Sequence, residues 1–240
     1  MKTSDAFMKQ THTIASILLA VLVFLFAVHT WASIATIAVV SKVVADVTKK
    51  IGSSDWSKAQ KGDPLASGDF MRTGDKSIAV VKFKDNSIIR IRENSELKIQ
   101  GEVRGDAFSK SVDLNRGVIG FEIQKQENEQ FTFTSPTSVA SIRGTRGLLE
   151  SSSITDVLVV LDGLVNLRNL LSNTEMDVGA GQTGMSRPNG TVEVRNSTQQ
   201  ERDRAAMALR AGDEGMQKEL KIEMRDPQGN KKDLKIRYRE

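Results

Sequence analysis

The chain of 240 residues has no cysteine, two histidines, one tyrosine and two tryptophans. Without cysteine there is no disulfide framework, thiol nucleophile or thiolate metal site, so the fold must rest on its apolar core. Both histidines, His12 and His29, lie within the first 35 residues. Beyond them there is no imidazole for a Ser-His triad or a His-containing metal centre. Trp56 is the only tryptophan after Trp31, so an extended aromatic platform for bases or sugars is not expected, although Trp56 can serve singly. No strand-like segment carries the spaced carboxylates of a glycosidase groove. The chain is therefore expected not to be an enzyme, with no catalytic residues, no cofactor and no metal.

What is present begins with an address. Lys2 and Lys9 precede an uncharged run from Ile14 to Val28, followed by His29-Thr30-Trp31-Ala32-Ser33-Ile34-Ala35. A basic start, a short apolar core and a small-residue exit describe a secretory signal, cleaved after Ala32 or Ala35. The core is shorter than the roughly 20 apolar residues of a spanning helix. Because Ile34 to Val40 is also uncharged, an uncleaved anchor is the alternative. The expected location is the periplasm or the exterior, or, with the anchor retained, the inner membrane facing the periplasm. About a dozen residues precede the apolar core, too few for a folded cytoplasmic domain.

Removing residues 1–35 takes away two basic residues and one acidic one, leaving 32 against 29 and a net charge of +3. That near-even mixture gives no electrostatic footprint for nucleic acid. From Val39 to Val194 the apolar residues recur with period two in short β-branched runs broken by Gly, Asp, Asn, Ser or Pro. Such a pattern predicts an all-β domain over 36–195, a flattened solenoid or a sandwich of many short strands. Ser111–Leu114 and Val118–Ile123 read as separate strands, as do Ser138–Ile142 and Gly147–Ser151, and Thr155–Leu161 and Leu164–Arg168.

One connection tests the pattern. A loop Asp85-Asn86-Ser87 pairs Phe83 with Ile89 and Val81 with Ile91, which preserves the faces but sets Lys82 opposite Arg90. Like charges directly opposite destabilise a strand pair. Either Ile78–Phe83 and Ile88–Arg92 form no simple hairpin, the favoured reading, or Lys82, Arg90 and Arg92 make a weak anion-binding face. In that loop Asn86 or Ser87 would sit near the left-handed region.

Residues 196–240 change character. Ser197 is placed to cap a helix with Glu201 in its first turn and Gly212 beyond its end. Leu220, Ile222 and Met224, then Leu234, Ile236 and Tyr238, alternate with mainly charged residues about the turn-rich 226–230 segment. This predicts a β-hairpin docked on the main domain, a partner or an envelope surface.

The order of the turn residues carries a family resemblance. Gly68-Asp69-Phe70-Met71-Arg72-Thr73 is followed by Asp85-Asn86-Ser87-Ile88-Ile89, Arg116-Gly117, Phe131-Thr132-Phe133-Thr134-Ser135-Pro136, Ile142-Arg143-Gly144-Thr145, Asp162-Gly163 and Gly179-Ala180-Gly181. Over roughly residues 40–190 this series resembles the FecR-like domain, named for the ferric-citrate regulator. The family usually has an aromatic after its Arg-Gly-Thr corner. Arg146-Gly147 stands there instead, leaving the packing of that corner open.

The resemblance implies an extracytoplasmic β-module. In the founding regulators the module follows a cytoplasmic anti-sigma segment and a membrane helix, and senses an outer-membrane transporter. This chain is similar instead to exported stand-alone members. The candidate binding residues are Arg143, Gly144, Thr145 and Arg146, as an anion-binding or salt-bridged corner, with Arg90, Arg92 and Lys82.

The expected function is non-catalytic contact with an envelope protein or a cell-wall or exopolysaccharide polymer. The alternatives are an assembly factor of an envelope complex, stress or uptake signalling without an anti-sigma domain of its own, and a polysaccharide-active enzyme. Membrane contact is expected only through an uncleaved leader, and the sequence sets no oligomeric state.

Overall fold

The structure, a computed structural model, describes residues 36–104, 107–125, 129–213, 217–225 and 231–239. The chain divides into units 1–34 and 35–240, and the expected leader lies outside the described residues. Among the described residues no helix is long and apolar enough to cross a membrane.

Among the described residues the fold is all-β, as the period-two pattern predicts, with one helix after the strands of the main domain. Fifteen strands form one continuous mixed sheet that folds back on itself. One layer runs through β4 (Pro64–Ala66), β1 (Thr36–Val44), β6 (Ile78–Phe83), β7 (Ile88–Ile91), β9 (Ala107–Ile123), β11 (Ser138–Ser151), β12 (Asp156–Asn169), β14 (Gln182–Ser186) and β15 (Val192–Asn196). The other runs through β3 (Ser57–Lys58), β2 (Val47–Lys50), β5 (Phe70–Thr73), β8 (Glu96–Arg104), β10 (Glu129–Thr134) and β13 (Glu175–Gly179), with β9, β11 and β12 shared. Only β9 and β10 pair in parallel; the other described pairs are antiparallel.

Alternate residues of both layers meet in one core. Ala79, Val81, Phe83, Ile89, Ile91, Ile119 and Phe121 come from the first layer, and Met71, Leu97, Ile99, Val112, Phe133, Val165 and Leu167 from the second. Phe83 meets Phe131 edge-on at 5.0 Å, and Phe121 lies 4.9 Å from Phe133. These rings contribute about 0.5–1.5 kcal/mol per pair beyond their burial.

Three pairs of segments that read as separate strands are single long strands. β9, β11 and β12 each bend near a glycine in the left-handed region: Gly117 (φ 106°), Gly144 (φ 63°) and Gly163 (φ 92°). The first part of β9 pairs with β8 and β10, and its last part with β7 and β11. The sequence reads these glycines as chain reversals because an interruption of alternation looks the same at a turn and at a bend. At Gly163 a side chain is excluded outright: a Cβ would stand 2.5 Å from the Gly144 carbonyl oxygen and 2.7 Å from Thr145 Oγ1.

β6 and β7 do form a hairpin, correcting the favoured expectation. Its loop is Lys84-Asp85-Asn86, one residue earlier than expected, so Val81 faces Ile89 and Ala79 faces Ile91. Lys82 then lies opposite Ile88 and Arg90 opposite Val80. The like-charge pair that argued against a hairpin does not arise. Asn86 takes the left-handed conformation (φ 68°) that lets three residues close the turn.

Helix α1 (Gln199–Arg210) packs on the outer face of the first layer. Its N-cap is Thr198 rather than Ser197. The Thr198 hydroxyl accepts the Glu201 amide hydrogen, while the Glu201 carboxylate accepts that of Thr198, giving a full capping box. Ser197 is buried and its hydroxyl pairs with that of Thr183 at 2.8 Å. Ala205 and Ala208 pack on Leu148 and Val159. At Gly120 a Cβ would come within 2.7 Å of the Ala208 backbone, so the helix lies almost directly on the sheet backbone. β16 (Gln217–Arg225) and β17 (Lys231–Arg239) pair antiparallel as a separate two-stranded sheet, with Leu220 opposite Ile236 and Ile222 opposite Leu234. The turn 226–230 lies outside the described residues.

Candidate functional site

The residues that carry the family resemblance hold backbone to backbone. The buried Asp69 carboxylate accepts the amide hydrogens of Gly52 (3.1 Å) and Ala66 (2.8 Å), fixing the turn before β5. Thr73, at the other end of β5, accepts the Ser95 amide hydrogen at 3.0 Å and donates to the Arg92 carbonyl. In the Asp85-Asn86-Ser87 turn the Asp85 carboxylate accepts the Ser87 amide and hydroxyl hydrogens and receives Lys110 Nζ at 2.7 Å. Burial pushes the Asp85 carboxyl up, but hydrogen bonds from Lys110 and Ser87 more than offset it and hold it below the usual carboxylate range. Both ends of this pair are almost fully enclosed, with side-chain exposures of 2% and 6%. The Ser87 hydroxyl accepts the Gln124 amide hydrogen at 3.0 Å.

The Arg143-Gly144-Thr145-Arg146 segment is the bend of β11. Thr145 is buried and its hydroxyl donates to the Leu164 carbonyl at 3.1 Å. Thr145 thus clips the bend of β11 to that of β12. Arg146 is exposed and lies 3.9 Å from Glu122, its cross-strand partner. Arg143 is exposed on the other side of the bend. The aromatic usual after this corner is replaced from a neighbouring strand: Phe121 faces Gly147, and a Cβ on Gly147 would meet the Phe121 ring at 2.9 Å.

Lys82, Arg90 and Arg92 share the outer face of the first layer but not one environment. Lys82 is exposed. Arg90 is buried beneath the chain that leaves α1, where Nη2 donates to Asp213 at 2.8 Å while Nε and Nη1 meet no acceptor among the described residues. Arg92 lines a cleft of about 210 Å³ between sheet and helix, floored by Val118 and Leu148 and walled by Glu93, Arg204, Met207 and Ala208. Among the described residues no acceptor meets the Arg92 guanidinium. Arg204 donates to Glu150 at 2.6 Å, and Met207 is 67% exposed.

Of the seven residues singled out, the structure therefore brings only Arg92 into a cleft. Sequence reasoning missed Arg204 and Met207. The signal available was Met207 itself, a large apolar residue on a helix whose buried positions are Ala205, Ala208 and Leu209.

The helix is locked to the sheet at its first turn by Arg195, which holds Glu201 through two hydrogen bonds of 2.9 and 2.7 Å. The Arg195 guanidinium, helped by the Thr198 amide and hydroxyl, lowers the Glu201 carboxyl to about 2. Among the described residues no group of three or more His, Cys, Asp or Glu side chains is placed to hold a metal ion.

Comparison with known proteins agrees with the motif series. No curated protein matches the chain. Two crystal structures of a candidate anti-sigma factor from Parabacteroides distasonis ATCC 8503, at 1.65 and 2.50 Å resolution, are similar, with 13% and 12% identity and a TM-score of 0.48 in each case. The aligned region covers 56% of this chain and 62% of theirs. A family model, FecR protein, matches residues 69–166, from the buried Asp69 past the bends of β9, β11 and β12. The chain carries a FecR domain.

Proposed function

We propose that this protein is a non-catalytic interaction module of the bacterial cell envelope that engages a partner protein through the cleft between α1 and the sheet. The observation that carries this reading is Arg92, a cation without a described acceptor beside an apolar floor and the exposed Met207. An apolar pocket with a few convergent polar groups is the usual form of a recognition site. Its chemistry suits an apolar side chain flanked by a carboxylate. The FecR domain supports a regulatory or signalling context. The turn and corner motifs are engaged in holding the fold, which leaves recognition to surfaces outside them.

A photo-crosslinking residue at position 207 of the full chain in living cells tests this reading. A discrete adduct with one envelope protein that disappears on Arg92→Glu supports it. No adduct, or one indifferent to Arg92→Glu, sinks it. Export is part of the proposal: the mass of protein recovered from the periplasm should correspond to cleavage after Ala32 or Ala35. A full-length mass in the membrane fraction selects the anchored form, and recovery from the cytoplasm removes the envelope role.

A further inference from the structure

The outer face of the second layer is not covered by any described helix, and two independent features meet on it. The first is a groove of about 510 Å³ lined by hydroxyls, an amide, one carboxylate and the buried Lys110, the other side chains being Ser67, Gln100, Glu102, Ser109, Ser111 and Thr132. The second lies next to it along the strands. Lys98 sits two residues before Gln100 on the same face of β8 and opposite Phe70 of β5. Lys98 and Lys50 place their ammonium groups 5.6 and 6.0 Å from the Phe70 ring centroid. Trp56 stands edge-on to Phe70 at 6.4 Å, and the Arg72 guanidinium stacks on Trp56 at 4.1 Å.

Arg72 is held in place by Glu96 through two hydrogen bonds of 3.1 and 2.9 Å. The nearby acids are engaged: Glu96 by Arg72 and also Arg116, and Asp113, opposite Lys98, by the Gln100 amide. One end of the face is thus aromatic and basic, and the adjoining stretch is a trough of hydrogen-bonding groups.

We propose that this face is a binding surface for a linear anionic polysaccharide, a glycan bearing carboxylates along its length. The ring edges and faces of Trp56 and Phe70 suit the C–H face of a sugar, Lys50 and Lys98 suit its carboxylates, and the Ser, Thr and Gln groups suit its hydroxyls. Successive strands lie about 4.8 Å apart, close to the length of one sugar unit, so a chain running across the strands meets a new side chain at each residue. A protein partner is disfavoured because the groove lacks the apolar centre that protein interfaces bury.

Titration calorimetry of the full chain with short alginate oligomers tests the assignment. Matched cello-oligosaccharides serve as the neutral control and poly-L-glutamate as the acidic non-sugar control. Saturable binding of alginate is expected, at least about tenfold tighter than either control. Trp56→Ala and Lys98→Glu should each weaken it about tenfold or more, while Arg187→Glu, after β14 in the first layer, should not. Because Trp56 also supports Arg72, Thr132→Glu is a second variant. It places a charge in the groove without touching the aromatic end and should also weaken binding, with an unchanged circular dichroism spectrum.

Absence of alginate binding, equal binding by Trp56→Ala and Thr132→Glu, or equal affinity for poly-L-glutamate or the neutral oligomers overturns the proposal. None of these readings involves the cleft at Arg92, so the two surfaces stand or fall separately.

Discussion

The two outer faces of the sandwich are built from the same bent strands and meet opposite fates. On the first layer, Val118, Leu148, Val157, Val159 and Leu161 point outward and are closed over by Ala205 and Ala208 of α1. On the second, outward positions include Gln100, Ser111, Thr132, Ser141 and Asn166, of which Gln100 donates to Asp113 and Asn166 to Asp177. The helix covers the part of the first layer whose outward residues are apolar, while the open face mixes hydrogen-bonding residues with Phe70. The covered face keeps only a small cleft at its rim, whereas the open face offers its whole breadth.

The largest effect should come from the bends that both faces share. Gly163→Val places a branched side chain at φ 92° in the bend of β12, against the bend of β11, and should cost more than about 4 kcal/mol, the range diagnostic of a broken structural requirement. Chemical denaturation measures it. Gly181→Ala, also at positive φ but with nothing within 4 Å of the added methyl, should cost only about 1–2 kcal/mol. Equal losses would show that backbone conformation, and not the nesting of the two bends, dominates at Gly163.

Lys110→Met comes next. It leaves the enclosed Asp85 carboxylate without its cation, and breaking such a pair costs about 3–5 kcal/mol. Recovery of stability in the double variant Lys110→Met, Asp85→Asn would confirm that the stranded charge is the cause.

Gly120→Ala separates the faces. A methyl 2.7 Å from the Ala208 backbone must lift α1, an overpacking expected to cost about 1–3 kcal/mol. Amide exchange should accelerate in α1 and leave β8, β10 and β13 protected. Uniform loss of protection would mean that the helix is part of one cooperative unit with the open face.

The smallest effect is acid release of the helix start. Glu201 is lowered from 4.5 to about 2, so its contribution is fully present above about pH 4.5 and is lost as the pH falls toward 2. Glu201→Gln should make the protection factors of α1 amides, exchange rates relative to the unprotected chain, insensitive to pH over that window. An unchanged profile would remove the Arg195–Glu201 lock as the cause.

Much of the fold was legible. Phe70–Thr73 and Ile78–Phe83 are strands with the boundaries that period-two alternation sets, and Glu201 marks the first turn of α1. The β6–β7 connection was harder, because its register turns on which of four adjacent polar residues, Lys84 to Ser87, adopts the left-handed conformation. Asn86 does, and moving the loop by one residue moves Arg90 from opposite Lys82 to opposite Val80.

The candidate site was less legible still. Arg90 and Arg92 are two residues apart on one strand and look equivalent, yet the chain beyond α1 buries one and leaves the other at a cleft. Trp56 could be singled out by rarity alone. That it stacks with Arg72 beside Phe70 depends on β2, β5 and β8 pairing across the sequence.

By itself the sequence determined the class of fold, which residues of β6 and of β7 share a face, and the FecR resemblance, because alternation and turn residues act over a few neighbouring positions. Only the tertiary structure decided that Gly117, Gly144 and Gly163 bend strands instead of ending them, that one outer face is sheathed and the other open, and that Arg92 lines a cleft while Arg90 is buried. Those outcomes depend on which distant strand or helix arrives beside each residue, and contacts between remote segments leave no local period in the chain.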